Sequence, residues 1–410
     1  MRIAFVDLEF AWPPPGGAQY DVLHTMTGLK GMGHDVRLFC RRDPDVWRYS
    51  GVEPGSFPHP VTELEFTLAD YTIEKVPPAF REAVDGWKPD IVFLCFCFFF
   101  RPYLADALAH YPLIDRFYTY ESLCIKDFAL FKQDTTCAND YVNTPNACLR
   151  CFAWSWRKGV LHGTVSPFAR NFLDVDGFSA AYHEKFVQHL RTVNAIVVYN
   201  EMTRQRLLGV NPNIHVVPGG VHTREFAYSP APLKGRDEKK IIFMSGRADD
   251  YLKGVNTLLY ACDILADRRD DFEVWVTHTD PTKSRPWLKN LGWRPQGEVA
   301  KLYAESDICV VPSIWDEPFG MVAVEAMASG RPVCVSRVGG LQHIVEHEVS
   351  GFVFERKSHL ELAVYLNRLL DNPDQRRAMG EAGRRRAEEE YDWARVVERF
   401  YPPIFEKILP

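Results

Sequence analysis

Short apolar runs alternate along the chain with longer segments whose apolar residues recur every three or four positions. The runs predict strands and the periodic segments predict helices, an alternation typical of α/β proteins with parallel sheets. A proline–glycine turn at 13–17 precedes a predicted helix at 18–30, which Gly31 and Gly33 end. In this half of the chain the predicted strands are 2–8, 35–40, 91–98, 116–120 and 195–199.

A second series of the same kind follows a stretch rich in proline, glycine and charge. Its predicted strands are 240–244, 272–277, 308–311 and 332–336, with helices at 254–265 and 320–328 and a last helix from about 392. We therefore expect two doubly wound parallel-sheet domains that face each other across a cleft. Their predicted bounds are 1–210 and 240–391, with a linker at 211–239 and residues 392–410 packing back onto the first domain.

Composition narrows the class of protein. The 410 residues are 46% apolar and 25% charged, which indicates a folded globular protein. The net charge of −6 argues against nucleic acid as a partner. Asp7 and Glu9 interrupt the first apolar run, and the longest such run, 91–100, is about half of the ~20 residues that a spanning helix needs. We therefore expect a soluble cytoplasmic protein. The segment 152–158 combines aromatic and cationic residues, so peripheral contact with the inner face of the membrane is a second interpretation.

Four of the ten cysteines cluster in the first half: Cys124, Cys137, Cys148 and Cys151. A Cys-x2-Cys pair allows two thiolates to hold one metal ion from a single turn, so a structural zinc is one interpretation. A loop with reduced thiols is the other, and both stay open.

The segment 311–330 carries the most informative chemistry. An apolar strand ends, a loop carries Glu317, and Pro318 stands where a first helical residue would. The amides of Phe319, Gly320 and Met321 would then point out of the helix start, where they suit a phosphate or a sugar hydroxyl.

Two further features point to a bound anionic ligand. Glu325 lies in an apolar helix, where a carboxylate is costly unless it is paired or bound to ligand hydroxyls, although it could instead face solvent. Arg247 follows one strand and Lys253 precedes the next helix, an arrangement that suits a diphosphate. The alternative for these two residues is a surface loop with solvated cations.

The spacing of Glu317 and Glu325 resembles the E-x7-E signature of retaining glycosyltransferases of the GT-B fold, most closely glycosyltransferase family 4. The flanking motifs that also match are Pro312-Ser313, Glu317-Pro318-Phe319-Gly320, Glu325-Ala326-Met327-Ala328, Gly330-Arg331-Pro332-Val333, Gly339-Gly340 and Val349-Ser350-Gly351-Phe352. The resemblance implies catalytic roles for Glu317, Arg247 and Lys253. It implies donor contacts for Gly17, Arg247, Lys253, Trp293, Pro295, Glu317, Phe319, Gly320, Met321 and Glu325. Trp293 could instead fill the core.

The resemblance also implies the reaction. A UDP- or GDP-sugar would bind to the second domain, and its sugar would pass by front-face displacement to a glycan, glycolipid or metabolite bound by the first, without a metal or other cofactor. Many family members have a His-Asp pair that reaches the transferred sugar, whereas this chain has Tyr120-Glu121 there. The alternatives are a catalytically silent partner, a zinc-held scaffold, a sugar-nucleotide epimerase or a phosphorylase of the same fold.

Overall fold

A computed structural model describes residues 1–14, 16–43, 50–164, 166–234, 238–247, 249–277 and 284–409, and these residues fold into two units. Unit 1 comprises Met1–Leu130, Cys137–Pro218 and the chain from Val397 onward. Unit 2 comprises Phe131–Thr136 and Gly219–Val396. A six-residue segment of unit 2 is therefore flanked on both sides by chain that belongs to unit 1. Pro15, part of the predicted proline–glycine turn, lies outside the described residues.

Strands and helices alternate through most of both units. The strands, in chain order, are β1 (Arg2–Asp7), β2 (Ala11–Trp12), β3 (Asp35–Arg42), β4 (Gly51–Val52), β5 (Val61–Glu65), β6 (Ile91–Leu94), β7 (Leu113–Arg116), β8 (Phe131–Lys132), β9 (Thr135–Thr136), β10 (Ala195–Val198), β11 (Ile214–Val216), β12 (Lys240–Met244), β13 (Phe272–Val276), β14 (Leu288–Asn290), β15 (Ile308–Val311), β16 (Val333–Ser336) and β17 (Gly351–Phe354). The helices are α1 (Gly17–Gly31), α2 (Val76–Trp87), α3 (Arg101–Ala107), α4 (Pro145–His162), α5 (Pro167–Asp174), α6 (Ala180–Thr192), α7 (Glu201–Leu207), α8 (Val255–Ala266), α9 (Gln296–Glu305), α10 (Met321–Ala328), α11 (Leu341–Ile344), α12 (His359–Asp371), α13 (Pro373–Glu390) and α14 (Trp393–Ile408).

Unit 1 is built on a parallel sheet. Among the described residues its strand order is β11-β10-β7-β6-β1-β3-β5. Every residue of β6 is buried, because strands of a parallel sheet are covered on both faces. The last helix approaches α1 closely: a Cβ at Gly28 would lie 2.7 Å from a side-chain carbon of Val397. Glycine at this position therefore lets the two helices pack.

Unit 2 is built on a second parallel sheet, in the order β14-β13-β12-β15-β16-β17 among the described residues. Its core joins strand residues such as Ile242 and Val310 to Leu258 of α8 and Leu366 of α12. Strands β12, β15 and β16 are neighbours. The loops that follow them meet at the carboxyl edge, which is where open α/β sheets bind ligands.

Two predicted strands of unit 1 are placed wrongly. The strand predicted at 91–98 ends at Leu94, and Phe98–Phe100 form a 3-10 turn. The strand predicted at 116–120 is Leu113–Arg116 instead. Its two charged residues are fully buried because Asp115 pairs with Arg101 and Arg116 pairs with Asp21. Tyr120 therefore lies in a loop rather than at the end of a strand.

Candidate active site

Two loops at the carboxyl edge of the unit 2 sheet carry five of the predicted donor residues: Arg247 and Lys253 after β12, and Glu317, Phe319 and Gly320 after β15. The loop after β12 and the loop after β15 are joined by a hydrogen bond from the Ile314 amide to the Leu252 carbonyl, over 2.9 Å. The loop after β16 joins them where the Gly340 amide donates to the Glu317 carbonyl over 2.7 Å. The backbone itself therefore holds the residues around Lys253 and Glu317 together.

Gly254 shows how closely two of these loops approach each other. Its φ is +72°, a left-handed conformation that residues with a side chain rarely adopt. A Cβ at this position would lie 2.0 Å from the carbonyl oxygen of Pro312. Glycine thus allows the loop of Lys253 to lie directly against the loop of Glu317.

Lys253 and Glu317 form an ion pair at the centre of this region. The Lys253 Nζ lies 2.6 Å from Glu317 Oε1, and the Ser313 hydroxyl donates to the same oxygen over 2.6 Å. Burial of Glu317 would raise its pKa, but the charge of Lys253 and the hydrogen bonds outweigh burial, so the pKa is lowered. Glu317 is therefore an ionised carboxylate inside a buried site.

Glu325 is also buried, in the middle of α10. The hydroxyl of Tyr303 donates to Glu325 Oε2 over 3.1 Å, and it also lies at hydrogen-bond distance from the Ser245 hydroxyl. Burial raises the pKa of Glu325 to about 7, and the bond from Tyr303 opposes this increase only in part. The structure excludes the solvent-facing alternative for Glu325.

Tyr303 was not among the residues predicted from sequence. It lies on α9 and is buried, and its hydroxyl joins the end of β12 to α10. The sequence held one indication of this contact: Glu325 in an apolar helix needs a hydrogen-bond donor, and a buried tyrosine hydroxyl needs an acceptor.

Helix α10 begins later than predicted. Its first residue is Met321, and Gly320 is the N-cap, with a φ of +120°. A Cβ at Gly320 would lie 2.3 Å from Leu341 Cδ2, so the chain turns sharply here before it becomes helical. Pro318 is therefore not the first helical residue, and the amides without a partner inside the helix begin at Met321 rather than at Phe319. The Phe319 side chain is buried, with its ring centroid 5.7 Å from that of Tyr391.

Arg247 lies on the solvent side of the site. Its side chain is 64% exposed and forms an ion pair of 3.3 Å with Asp250. The other carboxylate oxygen of Asp250 accepts the Leu252 amide over 2.9 Å, which caps the turn that leads to Lys253. The two predicted cations therefore differ, since Arg247 is mostly solvated and Lys253 is largely buried.

The remaining predicted donor residues lie at the surface. Trp293 is 66% exposed, which excludes the core-filling alternative. Pro295 is the N-cap residue of α9. Gly17 is exposed and is the first residue of α1, in unit 1.

Tyr120 and Glu121, the predicted contacts on the sugar side, both serve their own loop in unit 1. Tyr120 is fully buried. Glu121 accepts the Thr119 amide over 2.9 Å and also the Thr119 hydroxyl, and it lies 3.9 Å from Arg101. These contacts give the Glu121 carboxylate a structural role, and its proposed contact with the sugar stays a prediction.

The hairpin β8–β9 adds residues that sequence analysis missed. The Thr136 hydroxyl donates to Asp316 Oδ2, and Arg356 donates to Asp316 Oδ1 over 2.8 Å. At the tip of the hairpin, Asp134 accepts the Tyr251 hydroxyl over 3.0 Å. The hairpin therefore contacts both the residue before Glu317 and the turn before Lys253.

In the part of the chain that the structure describes, no group of three or more His, Cys, Asp or Glu side chains is arranged to hold a metal ion. Cys124, Cys137, Cys148 and Cys151 are free and partly buried, so the described geometry gives no support to the zinc interpretation. Within the same ranges, each helix is too short or too polar to cross a bilayer.

The two parallel α/β sheets, together with the similar solved structures, define the class of protein as one with the GT-B fold. Sucrose-phosphate synthase of Thermosynechococcus elongatus is similar over 99% of this chain and 98% of its own, with a TM-score of 0.68 at 19% identity. HepE of Anabaena, solved in complex with UDP-glucose, is similar over 99% of this chain and 100% of its own, with a TM-score of 0.66 at 15% identity. The predicted fold is confirmed.

Two family models together match nearly the whole sequence. Residues 15–225 match Glycosyltransferase Family 4, and residues 229–386 match Glycosyl transferases group 1. The chain belongs to glycosyltransferase family 4, as the resemblance implied. An MMP alpha-(1->4)-mannosyltransferase of Mycolicibacterium hassiacum is 37% identical over 196 residues, which are 45% of this chain and 46% of the relative. The match thus spans about half the length of that relative.

Proposed function

We propose that this protein transfers a sugar from a nucleotide-diphosphate donor to a hydroxyl group of an acceptor and retains the configuration at the anomeric carbon. The observation that carries the proposal is the ion pair of Lys253 with the buried Glu317, with an N–O distance of 2.6 Å, beside a second buried glutamate on the following helix. Family membership supports the same reaction class.

In this proposal the donor diphosphate binds to Lys253 and Arg247. Lys253 supplies a fixed charge, whereas the exposed side chain of Arg247 moves from Asp250 to the phosphates. The amides of Met321 and Val322, at the start of α10, face the same ligand and add the positive end of the helix dipole. These groups take the role that a metal ion has in other transferases.

The two glutamates bind hydroxyl groups. Glu317 is ionised, so it accepts hydrogen bonds from the donor sugar. Glu325 accepts from the ribose hydroxyls, and these bonds favour its carboxylate form over the neutral form that burial favours. The exposed ring of Trp293 stacks on the nucleotide base.

The chemical step then balances within the two substrates. The bond between the anomeric carbon and the diphosphate oxygen breaks, and the acceptor oxygen forms the new bond on the same face of the sugar. The acceptor proton passes to the departing diphosphate oxygen. Lys253 and Arg247 stabilise the charge that develops there, and this stabilisation is the protein's main contribution to the rate.

The acceptor is a glycan, a glycolipid or a small metabolite, which unit 1 binds, and the reaction takes place in the cytoplasm. UDP-glucose is the first donor to test, because HepE of Anabaena was solved with it. GDP-mannose is the second, because a relative is a mannosyltransferase.

The test is a panel of nucleotide sugars, with thermal unfolding as the first readout. A donor at 100 times its Kd should stabilise the protein by about 2.7 kcal/mol. The shift should disappear in Arg247→Ala and persist in Lys239→Ala, a control whose side chain is 57% exposed. NMR of the product then gives the anomeric configuration. A product with inverted anomeric configuration would contradict the proposed retention. Release of a free epimerised or phosphorylated sugar would favour an epimerase or a phosphorylase. The absence of a thermal shift with any donor would favour a catalytically silent partner.

A further inference from the structure

Helix α4 of unit 1 has an unusual charge. It contains three permanent cations, Arg150, Arg157 and Lys158, and no Asp or Glu in its 18 residues. The whole chain, in contrast, has a net charge of −6. This helix is therefore a local basic element on an acidic protein.

The cations share one face of α4 with large apolar side chains. Arg150, Trp154, Arg157, Lys158 and Leu161 follow one another at intervals of four, three, one and three residues, which places them on one side of a helix, and all are exposed. Trp154 is 61% exposed and Leu161 is 71% exposed. The opposite side carries Phe152, which is buried against the rest of the unit.

Trp154 and Lys158 also contact each other. The Lys158 Nζ lies 3.9 Å from the centre of the Trp154 ring. Single exposed apolar residues are common on soluble proteins and need no explanation. Here Trp154 and Leu161 lie about two helical turns apart on the same face, and three cations surround them. Val160, 55% exposed, lies about 100° to one side of that face. That combination is typical of helices that lie in the interface of a membrane.

We propose that the exposed face of α4 binds to the surface of a bilayer that contains anionic phospholipid. Trp154 and Leu161 enter the boundary between head groups and acyl chains, while Arg150, Arg157 and Lys158 contact lipid phosphates. Charge complementarity selects this occupant. A second copy of the same face would bring like charges together, which disfavours self-association through α4. The inference concerns unit 1 and does not depend on the identity of the donor.

The test is co-sedimentation of the full chain with vesicles of phosphatidylcholine alone or mixed with phosphatidylglycerol. We expect binding to the mixed vesicles, weakened by salt, and little binding to phosphatidylcholine. Arg157→Gln with Lys158→Gln should lower the affinity roughly 30-fold. Trp154→Ala with Leu161→Ala should remove the binding that persists at high salt. The matched control is Arg385→Gln with Leu360→Ala, two positions in unit 2 outside this face.

Circular dichroism and the thermal shift with donor, measured on every variant, show that each is folded and that the donor site is intact. These readouts also separate this inference from the proposed reaction. Equal binding to both kinds of vesicle, no binding to either, or full binding by the Arg157→Gln, Lys158→Gln variant would overturn the proposal. A dimer of the native chain that the Trp154→Ala, Leu161→Ala variant abolishes would also overturn it, by assigning the face to a second copy.

Discussion

The hydroxyl of Thr136 donates a hydrogen bond to Asp316 Oδ2 across 180 residues of sequence. The other oxygen of Asp316 accepts from Arg356 over 2.8 Å and from the Gly339 amide over 3.0 Å. Asp316 immediately precedes Glu317, so the loop that presents this glutamate is anchored from the hairpin, from the chain after β17 and from the turn after β16.

Removing the Thr136 hydroxyl should loosen that anchor. We expect Thr136→Val to lower the free energy of unfolding by about 2 kcal/mol, because the hydroxyl both donates to Asp316 and accepts from Arg356 over 3.2 Å. The donor KM should rise more than kcat falls. Thr135→Val, at the exposed neighbouring position, is the control and should change neither the free energy of unfolding nor the donor KM. Donor titration in steady-state assays measures the effect. Identical KM values for the two variants would contradict the positioning role of Thr136.

Gly254→Ala should disrupt the approach of the Lys253 loop to the Glu317 loop. The added Cβ would meet the Pro312 carbonyl, so we expect a destabilisation of several kcal/mol and loss of the thermal shift with donor. Gly55→Ala is the matched control, because Gly55 has a φ of +76° and its Cβ would have no neighbour within 4 Å. Gly55→Ala should lower the free energy of unfolding by only about 1 kcal/mol, because it adds backbone strain without a steric clash. Chemical denaturation measures the free energy of unfolding of both variants. Equal losses of stability would contradict the close approach of the Lys253 loop to the Glu317 loop.

The raised pKa of Glu325 predicts a specific pH dependence of stability. Its pKa is 4.5 in the unfolded chain and about 7 in the folded protein, so the folded state binds more protons between these values. The free energy of unfolding therefore falls as the pH rises from about 4.5 to 7, by about 3 kcal/mol from this group.

Comparison with Glu325→Gln isolates this effect, because the amide does not titrate. Relative to the native protein, the variant should gain stability as the pH is raised across that range. Asp7, whose pKa is also raised to about 7, titrates in both proteins and cancels in the difference. Parallel stability profiles for the two proteins would show that Glu325 does not titrate with a raised pKa in the folded protein.

Lys253→Met should leave Glu317 as an unpaired buried carboxylate. Breaking a fully buried pair costs about 3–5 kcal/mol, and we expect about 2 kcal/mol here because the Lys253 side chain is 26% exposed. Adding Glu317→Gln should restore much of this stability without restoring transfer. Denaturation and activity assays on the two single variants and the double variant test the pair. Simple additivity of the stability losses would refute the coupling.

Sequence patterns placed the central strands of unit 2 correctly. The structure has β12 at Lys240–Met244 and β15 at Ile308–Val311, the same bounds as predicted. Strands of this kind are short apolar runs with charge or proline at their ends, so their limits are visible in one sequence. In unit 1 the same criterion failed at β7, because Asp115 and Arg116 are buried with partners that are distant in sequence.

The sequence predicted only part of the candidate site, again because some of its contacts join segments that are distant in sequence. Residue types and spacing pointed to the buried Glu317 and Glu325 and to the partly exposed Lys253 that pairs with Glu317. Spacing carries no information about contacts between distant segments, so Tyr303 and Thr136 were missed. The start of α10 was misplaced because proline often opens a helix, whereas here the turn at Gly320, with a φ of +120°, comes first.

The origin of the hairpin β8–β9 has a consequence for engineering. Unit 2, which we propose binds the donor, is the part of the chain to exchange between relatives in order to alter the donor. Its Phe131–Thr136 segment, however, is encoded within the first half of the chain. A chimaera joined only at residue 219 would pair the Asp316 of one parent with the hairpin of another. Recombination between family members should therefore transfer both segments together, with the residue at position 136 matched to the loop that it anchors.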